Sequence, residues 1–219
     1  MSYHLPLLTS ALLGLSLLAF PAVGGGERVD IGRFSAGDLT GWETGVYDGR
    51  TRYELRPVDD RMVLYADSRG TASGLYYQTH VNLDRTPYLN WSWKVDNILD
   101  NPDERERSGD DYPARLFVVF SDGLSFWNAQ VIDYVWSSSQ ASGSEWPNAY
   151  AANVRMIAVH AGSADVGRWV SEKRNVLADY RHLFGARPGA VDVVALMTDT
   201  DNTQLSAQAW YGDIWFSED

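Results

Sequence analysis

The chain has 219 residues, enough for one domain with a sizeable core, and carries a net charge of −11. This acidic excess makes nucleic acid and anionic membrane surfaces poor partners, because binding them requires a basic footprint. The absence of cysteine excludes disulfides, thiol catalysis and thiolate metal sites. The 9 Trp, 12 Tyr and 7 Phe suit pleated sheets, and they also suit ligand platforms.

The first patterned segment is the apolar run at residues 5–20, which is followed by small residues and a proline in PAVGGG. This arrangement is typical of a secretory signal peptide, although residues 1–4 contain no Lys or Arg. The run is short for a membrane-spanning helix. We therefore predict that residues 1–25 are a signal peptide and that residues 26–219 form a single domain. The mature protein is expected to be periplasmic or secreted, without stable membrane insertion.

Strand signals recur along the rest of the chain, with turn residues between them. In residues 87–95 the apolar side chains of Leu89, Trp91, Trp93 and Val95 alternate with polar ones, which indicates a half-buried strand. The ten predicted strands cover residues 42–47, 51–56, 61–66, 72–81, 87–95, 114–120, 129–136, 154–160, 191–198 and 207–216.

Two further segments differ from this pattern. Residues 97–111 are polar and dense in charge, which predicts a long surface loop. A short helix is predicted near residues 174–184, where apolar residues share one helical face and Gly185 is placed to end it. One helix among many strands argues against a βαβ architecture. The prediction is an all-β fold, a two-sheet antiparallel β-sandwich of jelly-roll type.

Specific segments resemble known families. The stretch FSAGDLTGW at residues 34–42 looks like the opening strand of galactose-binding-like, carbohydrate-binding-module-like jelly rolls, and residues 209–216 are similar to their closing strand. Four segments together resemble the bacterial domain-of-unknown-function family 3047, namely GDDYPARLFVVF, YVWSSS, EKRNVLADYRHLFG and ALMTDTDNTQLSAQAWYGDIWF. The resemblance implies a bacterial exported protein with this fold, and it implies no activity.

Two constellations are candidates for ligand binding. Asp110, Asp111 and Arg115 could bind a cation or a polyol, or they could form a structural ion-pair turn. The second constellation combines acidic and aromatic residues, whose rings stack on sugars while carboxylates bond hydroxyls. It could equally be a long loop held in place by its own aromatic side chains. Its members are Asp133, Tyr134, Trp136, Trp146 and Tyr150.

A third constellation concerns metal. The oxygens of Asp199 and Asp201 suit a hard cation such as Ca²⁺, although Asp and Asn also simply make turns. The resemblance to carbohydrate-binding jelly rolls implies that Asp213 helps to hold a structural Ca²⁺ with Asp38 or Glu43. One structural Ca²⁺ is therefore left open, and no other cofactor is predicted.

Three functions follow from these observations. The leading hypothesis is a non-catalytic domain that binds a glycan or another cell-envelope component, because the sequence has no zinc motif, nucleophile elbow or phosphate-binding loop. The first alternative is a carbohydrate-active hydrolase or lyase with two acids drawn from Asp133, Glu172, Asp199 or Asp201. The second alternative is a structural or protein-interaction domain.

Overall fold

The computed structural model describes residues 26–101, 103–121 and 129–219, so the predicted signal peptide at residues 1–25 lies outside the described residues. Thirteen strands and one α-helix make up this part of the chain. In chain order the elements are β1 (Arg28–Gly32), β2 (Trp42–Asp48), β3 (Arg52–Val58), β4 (Arg61–Arg69), β5 (Ala72–Val81), β6 (Tyr88–Val95), β7 (Ala114–Phe120), β8 (Gln130–Ser137), β9 (Glu145–Pro147), β10 (Val154–Ala161), β11 (Val170–Asn175), α1 (Val176–Phe184), β12 (Val191–Met197) and β13 (Ser206–Ser217).

The strands form two sheets. The six-stranded sheet has the order β11-β6-β13-β4-β3, and β1 pairs with the second half of β13, where β4 has ended. The seven-stranded sheet has the order β2-β5-β12-β7-β8-β10-β9. All pairs are antiparallel except β8 with β10, which run in the same direction. The predicted two-sheet β-sandwich is confirmed, with this one parallel pair as a departure.

The core lies between the sheets and follows from the alternation of side chains along each strand. From the six-stranded sheet, Trp91 and Trp93 of β6 are fully buried and meet edge to face, with ring centroids 5.4 Å apart. Tyr134 and Trp136 of β8 contact these two indoles from the seven-stranded sheet. These four rings together fix the two layers against each other.

The first and last segments of the domain lie side by side, as the resemblance to jelly rolls implied. Strand β1 pairs with residues 214–217 of β13. A short 3₁₀ turn at residues 34–36 follows β1, and its Ser35 donates from backbone N and from Oγ to the carboxylate of Asp213, at 2.7 and 2.5 Å. Phe34 of the same turn is fully buried in the core. The opening and closing segments of the domain are therefore held together by strand pairing and by side-chain hydrogen bonds.

The predicted helix is confirmed as α1. The side chain of Asn175 caps its first turn by accepting from the backbone N–H of Ala178, and Gly185 ends it with φ of 66°. The same region contains strand β11, which pairs with β6 and was not predicted from the sequence. Within the described residues, no helix combines the length and apolar character needed to cross a membrane.

Residues 97–111 form a loop, as predicted, and residues 100, 103 and 105–108 are exposed, but other parts of this loop are buried. Glu104 is fully buried, and its carboxylate accepts from the hydroxyl of Ser137 and from the backbone N–H groups of Ser138 and Ser139. Asn101 is buried as well and donates to the carbonyl of Gly109 at 2.7 Å. The carboxylate of Glu104 can be buried because backbone donors and a hydroxyl replace water around it.

Candidate functional site

A long cleft crosses the outer face of the seven-stranded sheet. It consists of an apolar part of about 500 Å³ and a polar part of about 400 Å³. The two parts share Tyr47, Phe117, Val154 and Met197 as lining residues, so they are continuous. We call this feature the outer cleft. Its volume falls in the range of small-ligand sites.

The apolar part of the outer cleft arises from strand periodicity. Residues 117 and 119 of β7 face outward between the core-facing residues Leu116, Val118 and Phe120. Strand β12 contributes Val193, Ala195 and Met197 beside them. At the edge of the sheet, Tyr47 of β2 is 77% exposed, which leaves an aromatic ring free at the rim.

The polar part of the outer cleft is built around Arg115 of β7. Its guanidinium donates to Asp133 from Nε at 3.0 Å and to Asp199 from Nη1 at 2.8 Å. The carboxylate of Asp110 lies 3.9 Å away and also accepts from the side-chain amide of Asn148. The side chains of Arg115, Asp133 and Asp199 are at most 5% exposed. One buried cation therefore serves several buried carboxyl groups.

Burial controls the protonation of this network. It raises the pKa of Asp133 to about 6, although Arg115 acts in the opposite direction. Burial also raises the pKa of Asp199 and of Asp110, and neighbouring aspartates add to both effects. The Oδ1 atom of Asp133 has no hydrogen-bond partner among the described residues. Because one guanidinium cannot compensate three carboxylates, the network favours holding a proton.

The rim of the polar part is formed by three connecting segments that are hydrogen-bonded to one another. Asp111 accepts from the backbone N–H groups of Asn202 and Thr203, at 3.2 and 2.6 Å. Tyr150 is 52% exposed, donates from its hydroxyl to the carbonyl of Arg107 and accepts from the amide of Asn202. These contacts join the loop after β6, the loop after β9 and the turn after β12. The rim is therefore held in one conformation.

Three carboxyl groups come close enough to share a cation. One oxygen each from Asp111, Asp199 and Asp201 lies within 4.8 Å of the others. Hydrogen bonds already hold the first two carboxylates, to backbone N–H groups and to Arg115. The three groups supply carboxylate oxygens, the donor type that Ca²⁺ takes, but fewer than its usual six to eight ligands.

Only some of the predicted site residues lie together in the structure. Those that meet at the polar part of the outer cleft are Asp110, Asp111, Arg115, Asp133, Tyr150, Asp199 and Asp201. Trp136 is instead fully buried between the sheets, and its indole donates to the carbonyl of Gly162. Trp146 is 5% exposed and packs beside Val135 and Met156.

Asp213 also lies elsewhere, on the six-stranded sheet, where both of its oxygens accept from Ser35. It does not join Asp199 and Asp201. Asp38 and Glu43, its predicted partners, make other hydrogen bonds. Asp38 accepts from the backbone N–H of Thr40, and Glu43 accepts from the hydroxyl of Tyr76. Asp213 does lie beside the opening segment, as the resemblance implied, and its contact there is a pair of hydrogen bonds from Ser35.

Several residues of the outer cleft were not predicted from the sequence. A usable signal existed for Phe117, because strand alternation places it on the same face as Arg115. Met197 lies directly opposite Arg115 on β12, and that register depends on a contact between distant segments. Asn148 and Asp48 carried no local signal. The missed lining residues are Tyr47, Asp48, Phe117, Asn148 and Met197.

Comparisons with solved structures show the fold. The family 30 carbohydrate-binding module of a cellulosomal cellulase of Clostridium thermocellum is 10% identical, with a TM-score of 0.50 over 88% of this chain and 98% of that chain. A family 29 carbohydrate-binding module is 9% identical, with a TM-score of 0.43 over 88% and 92% of the two chains. A cellulase derived from Rhodothermus marinus is 11% identical, with a TM-score of 0.47 over 86% and 98%.

No curated protein sequence matches the chain. A family model does match, and it extends from residue 40 to residue 215, which includes β2 through most of β13 and every residue of the polar part of the outer cleft. The chain therefore belongs to the family described as protein of unknown function DUF3047.

Proposed function

We propose that this protein is a non-catalytic module that binds a neutral glycan in the outer cleft. The observation that carries the proposal is the continuity of an apolar, aromatic-rimmed groove with a rigid set of carboxyl and amide groups. Sugar rings present C–H faces to apolar and aromatic surfaces and hydroxyls to carboxylates and amides. Both kinds of surface are present along one groove, with Phe117 between them.

A neutral ligand agrees with the charges of the polar part. Asp48, Asp110, Asp199 and Asp201 line it, whereas Arg115 is the one cation among the described residues that line it. The charge of Arg115 is already engaged by Asp133 and Asp199. An anionic saccharide would therefore meet net repulsion in this cleft, and a hydroxyl-rich neutral one would meet acceptors.

Binding to a panel of neutral polysaccharides, measured by affinity gel electrophoresis and titration calorimetry, tests the proposal. We expect Tyr47→Ala and Tyr150→Ala each to weaken the binding of a retained polysaccharide by about fivefold, as stacking contacts of about 1 kcal/mol are removed. Val46→Ala is the matched control, because Val46 is 44% exposed beside Tyr47 and does not line the cleft. Equal binding by all three variants would place the ligand elsewhere, and retention of no neutral polysaccharide would overturn the proposal.

A glycoside hydrolase is the second candidate. It is favoured by one observation, that the carboxyl groups of Asp110 and Asp201 line the same part of the cleft and that burial raises the pKa of each. A raised pKa is what a catalytic acid needs. The same polysaccharide panel distinguishes the two functions. New reducing ends that disappear in both Asp110→Asn and Asp201→Asn would establish catalysis, whereas binding without product supports the non-catalytic module.

We also propose that the protein acts in the periplasm or outside the cell. The apolar run at residues 5–20 and the small residues after it support export. N-terminal sequencing of the protein from fractionated cells tests this. A mature N-terminus near residues 22–26 in the periplasmic or secreted fraction is expected, and an intact Met1 in the cytosolic fraction would contradict it.

A further inference from the structure

The outer face of the six-stranded sheet differs in chemistry from the outer cleft. Cations and aromatic rings alternate across it in one connected row. The guanidinium of Arg56 lies 3.6 Å from the ring of Tyr65, and Tyr65 contacts Trp210 with ring centroids 5.3 Å apart. Lys94 follows at 4.2 Å from Trp210 and 5.8 Å from Trp169, and Arg61 lies 4.5 Å from Trp169. We call this row, together with Lys173 over Tyr88, the basic face.

The basic face retains its positive charge. Ion pairing cancels a charge, whereas a contact with the face of an aromatic ring leaves it in place. Within the described residues, no carboxylate lies within 4.0 Å of Arg61, Lys94 or Lys173. The chain has only two lysines, and both belong to this face of a protein with a net charge of −11.

The acidic residues nearby are engaged only in part, because Asp59 and Asp60 are exposed in the turn before Arg61 and have no ion-pair partner among the described residues. Glu54 bonds two arginines, Arg52 and Arg56, and Asp67 bonds Arg69. These two groups therefore contribute one net positive charge to the sheet surface, in addition to those of Arg61, Lys94 and Lys173. The carboxylates of Asp59, Asp60 and Asp213 offset three of these four charges, and the remaining charge is opposite in sign to that of the whole chain, which favours an anionic partner at this surface.

A cavity of about 460 Å³ opens on this face. Arg28, Arg61 and Lys173 line it together with Trp215 and the hydroxyls of Ser92 and Ser171. Two acids also line it. Both oxygens of Asp213 accept from Ser35, and burial raises the pKa of Glu172 to about 7. Arg28 is paired with Asp30, so the cavity offers the unpaired cations of Arg61 and Lys173, together with hydroxyl groups, an indole and the Asp213 carboxylate.

We propose that the basic face and this cavity bind an anionic saccharide, one that carries carboxylate or sulfate groups. The recognition chemistry is cationic contact with the acid groups and hydroxyl and indole contact with the sugar rings. A phospholipid surface is disfavoured, because the exposed large apolar side chains of the described residues, Val46, Tyr47, Tyr150 and Leu205, do not line this cavity. Nucleic acid is another polyanion, and its binding is an outcome of the test below.

Calorimetric titration of the purified protein with polygalacturonate tests this proposal, with the methyl-esterified polymer as the neutral form of the same backbone. We expect polygalacturonate to bind and the ester to bind at least about tenfold more weakly. Raising the salt from about 20 mM to about 200 mM should weaken only the charged polymer, since screening acts on exposed charges. Equal binding of both polymers would overturn the proposal.

Variants then locate the binding surface. Lys94→Met with Lys173→Met keeps the aliphatic stems and removes two charges, and we expect about tenfold weaker binding to polygalacturonate. Arg181→Gln with Arg187→Gln is the matched control, because it removes two exposed charges from α1 and the segment after it. A loss of the same size in the control, or no loss in the lysine variant, would overturn the assignment to this face.

The same titration distinguishes a saccharide from two other classes of anionic partner, nucleic acid and phospholipid. Binding to single-stranded DNA or to vesicles of anionic phospholipid as tight as to polygalacturonate would contradict a saccharide ligand. The result is independent of the neutral-glycan proposal, because Tyr47→Ala and Tyr150→Ala alter only the opposite sheet. Each proposal can therefore fail while the other stands.

Discussion

The guanidinium of Arg115 on β7 bonds the carboxylate of Asp133 on β8 through both Nε and Nη2, at 3.0 and 2.5 Å. Arg115 is directly opposite Val135, so Asp133 is its diagonal neighbour on the outer face. The same guanidinium bonds Asp199 after β12. One buried cation therefore connects β7, β8 and the turn after β12 at the polar part of the outer cleft.

Removing this cation should destabilise the domain strongly. In Arg115→Met the buried carboxyl groups of Asp133 and Asp199 lose the one cationic partner that they have among the described residues, and we expect the free energy of unfolding to fall by about 3–5 kcal/mol. Urea denaturation followed by tryptophan fluorescence measures the change. Arg52→Met is the control, since Arg52 pairs with Glu54 at an exposed site and should cost less than about 1 kcal/mol. Equal losses in the two variants would contradict a special role for Arg115.

A second prediction concerns the loop that positions Asp110 and Asp111. A Cβ atom on Gly109 would lie 2.6 Å from the backbone carbonyl oxygen of Asp103 and would also clash with Oδ1 of Asn101. Because backbone cannot move aside cheaply, we expect Gly109→Ala to lower the free energy of unfolding by about 1–3 kcal/mol. Gly45→Ala meets only the side chain of Tyr47 and should stay within about 0.5 kcal/mol of the parent protein. Denaturant titration of both variants is the measurement, and equal stabilities would show that the loop yields.

The structural Ca²⁺ stays a prediction, and the structure changes which residues would hold it. Asp111, Asp199 and Asp201 are close together, whereas Asp213 is bonded to Ser35. We expect millimolar Ca²⁺ to raise the melting temperature relative to EDTA, because a cation relieves the repulsion among the three carboxylates. The rise should be lost in Asp201→Asn and kept in Asp213→Asn. The same melting temperature with Ca²⁺ and with EDTA would contradict the site.

Strand periodicity was enough to predict most of the fold. It depends only on neighbouring residues, and in β6 the apolar side chains alternate strictly, so that its inward face is apparent. Strand β11 lacks this signal. Its sequence VSEKRN places Glu172 and Arg174 on the inward side at a sheet edge, where long side chains reach partners such as Asp179. Such a strand is specified by its pairing with β6 rather than by its own composition.

The candidate site was predictable only in part, for the same reason. Asp110, Asp111 and Arg115 are adjacent in sequence, so their proximity could be expected. The bond from Arg115 to Asp199 joins residues 84 positions apart, and it depends on the register of β7 with β12. Trp136 was predicted as a ligand contact, although Ile132 and Tyr134 share its phase on β8 and form a buried face. Composition indicated the chemistry of the site, but pairing determined the direction of each side chain.

The last prediction concerns pH and Glu172, which lies at the edge between the two sheets. Burial raises the pKa of Glu172 to about 7, well above the value of about 4.3 for an unfolded chain. The folded state therefore holds a proton that the unfolded state releases, and the free energy of unfolding should fall as the pH rises from about 4 to about 7.

Glu172→Gln removes this titration and should raise the free energy of unfolding at neutral pH by about 1–2 kcal/mol. A fully buried carboxylate would give a larger increase, but 14% of the Glu172 side chain is exposed. His160 lies nearby, with Nδ1 3.5 Å from Oε1 of Glu172, so His160→Asn is the control that should keep the acidic slope. Denaturant titrations between about pH 5 and pH 8 measure the slopes, and an unchanged slope in Glu172→Gln would assign it to another buried acid such as Asp133.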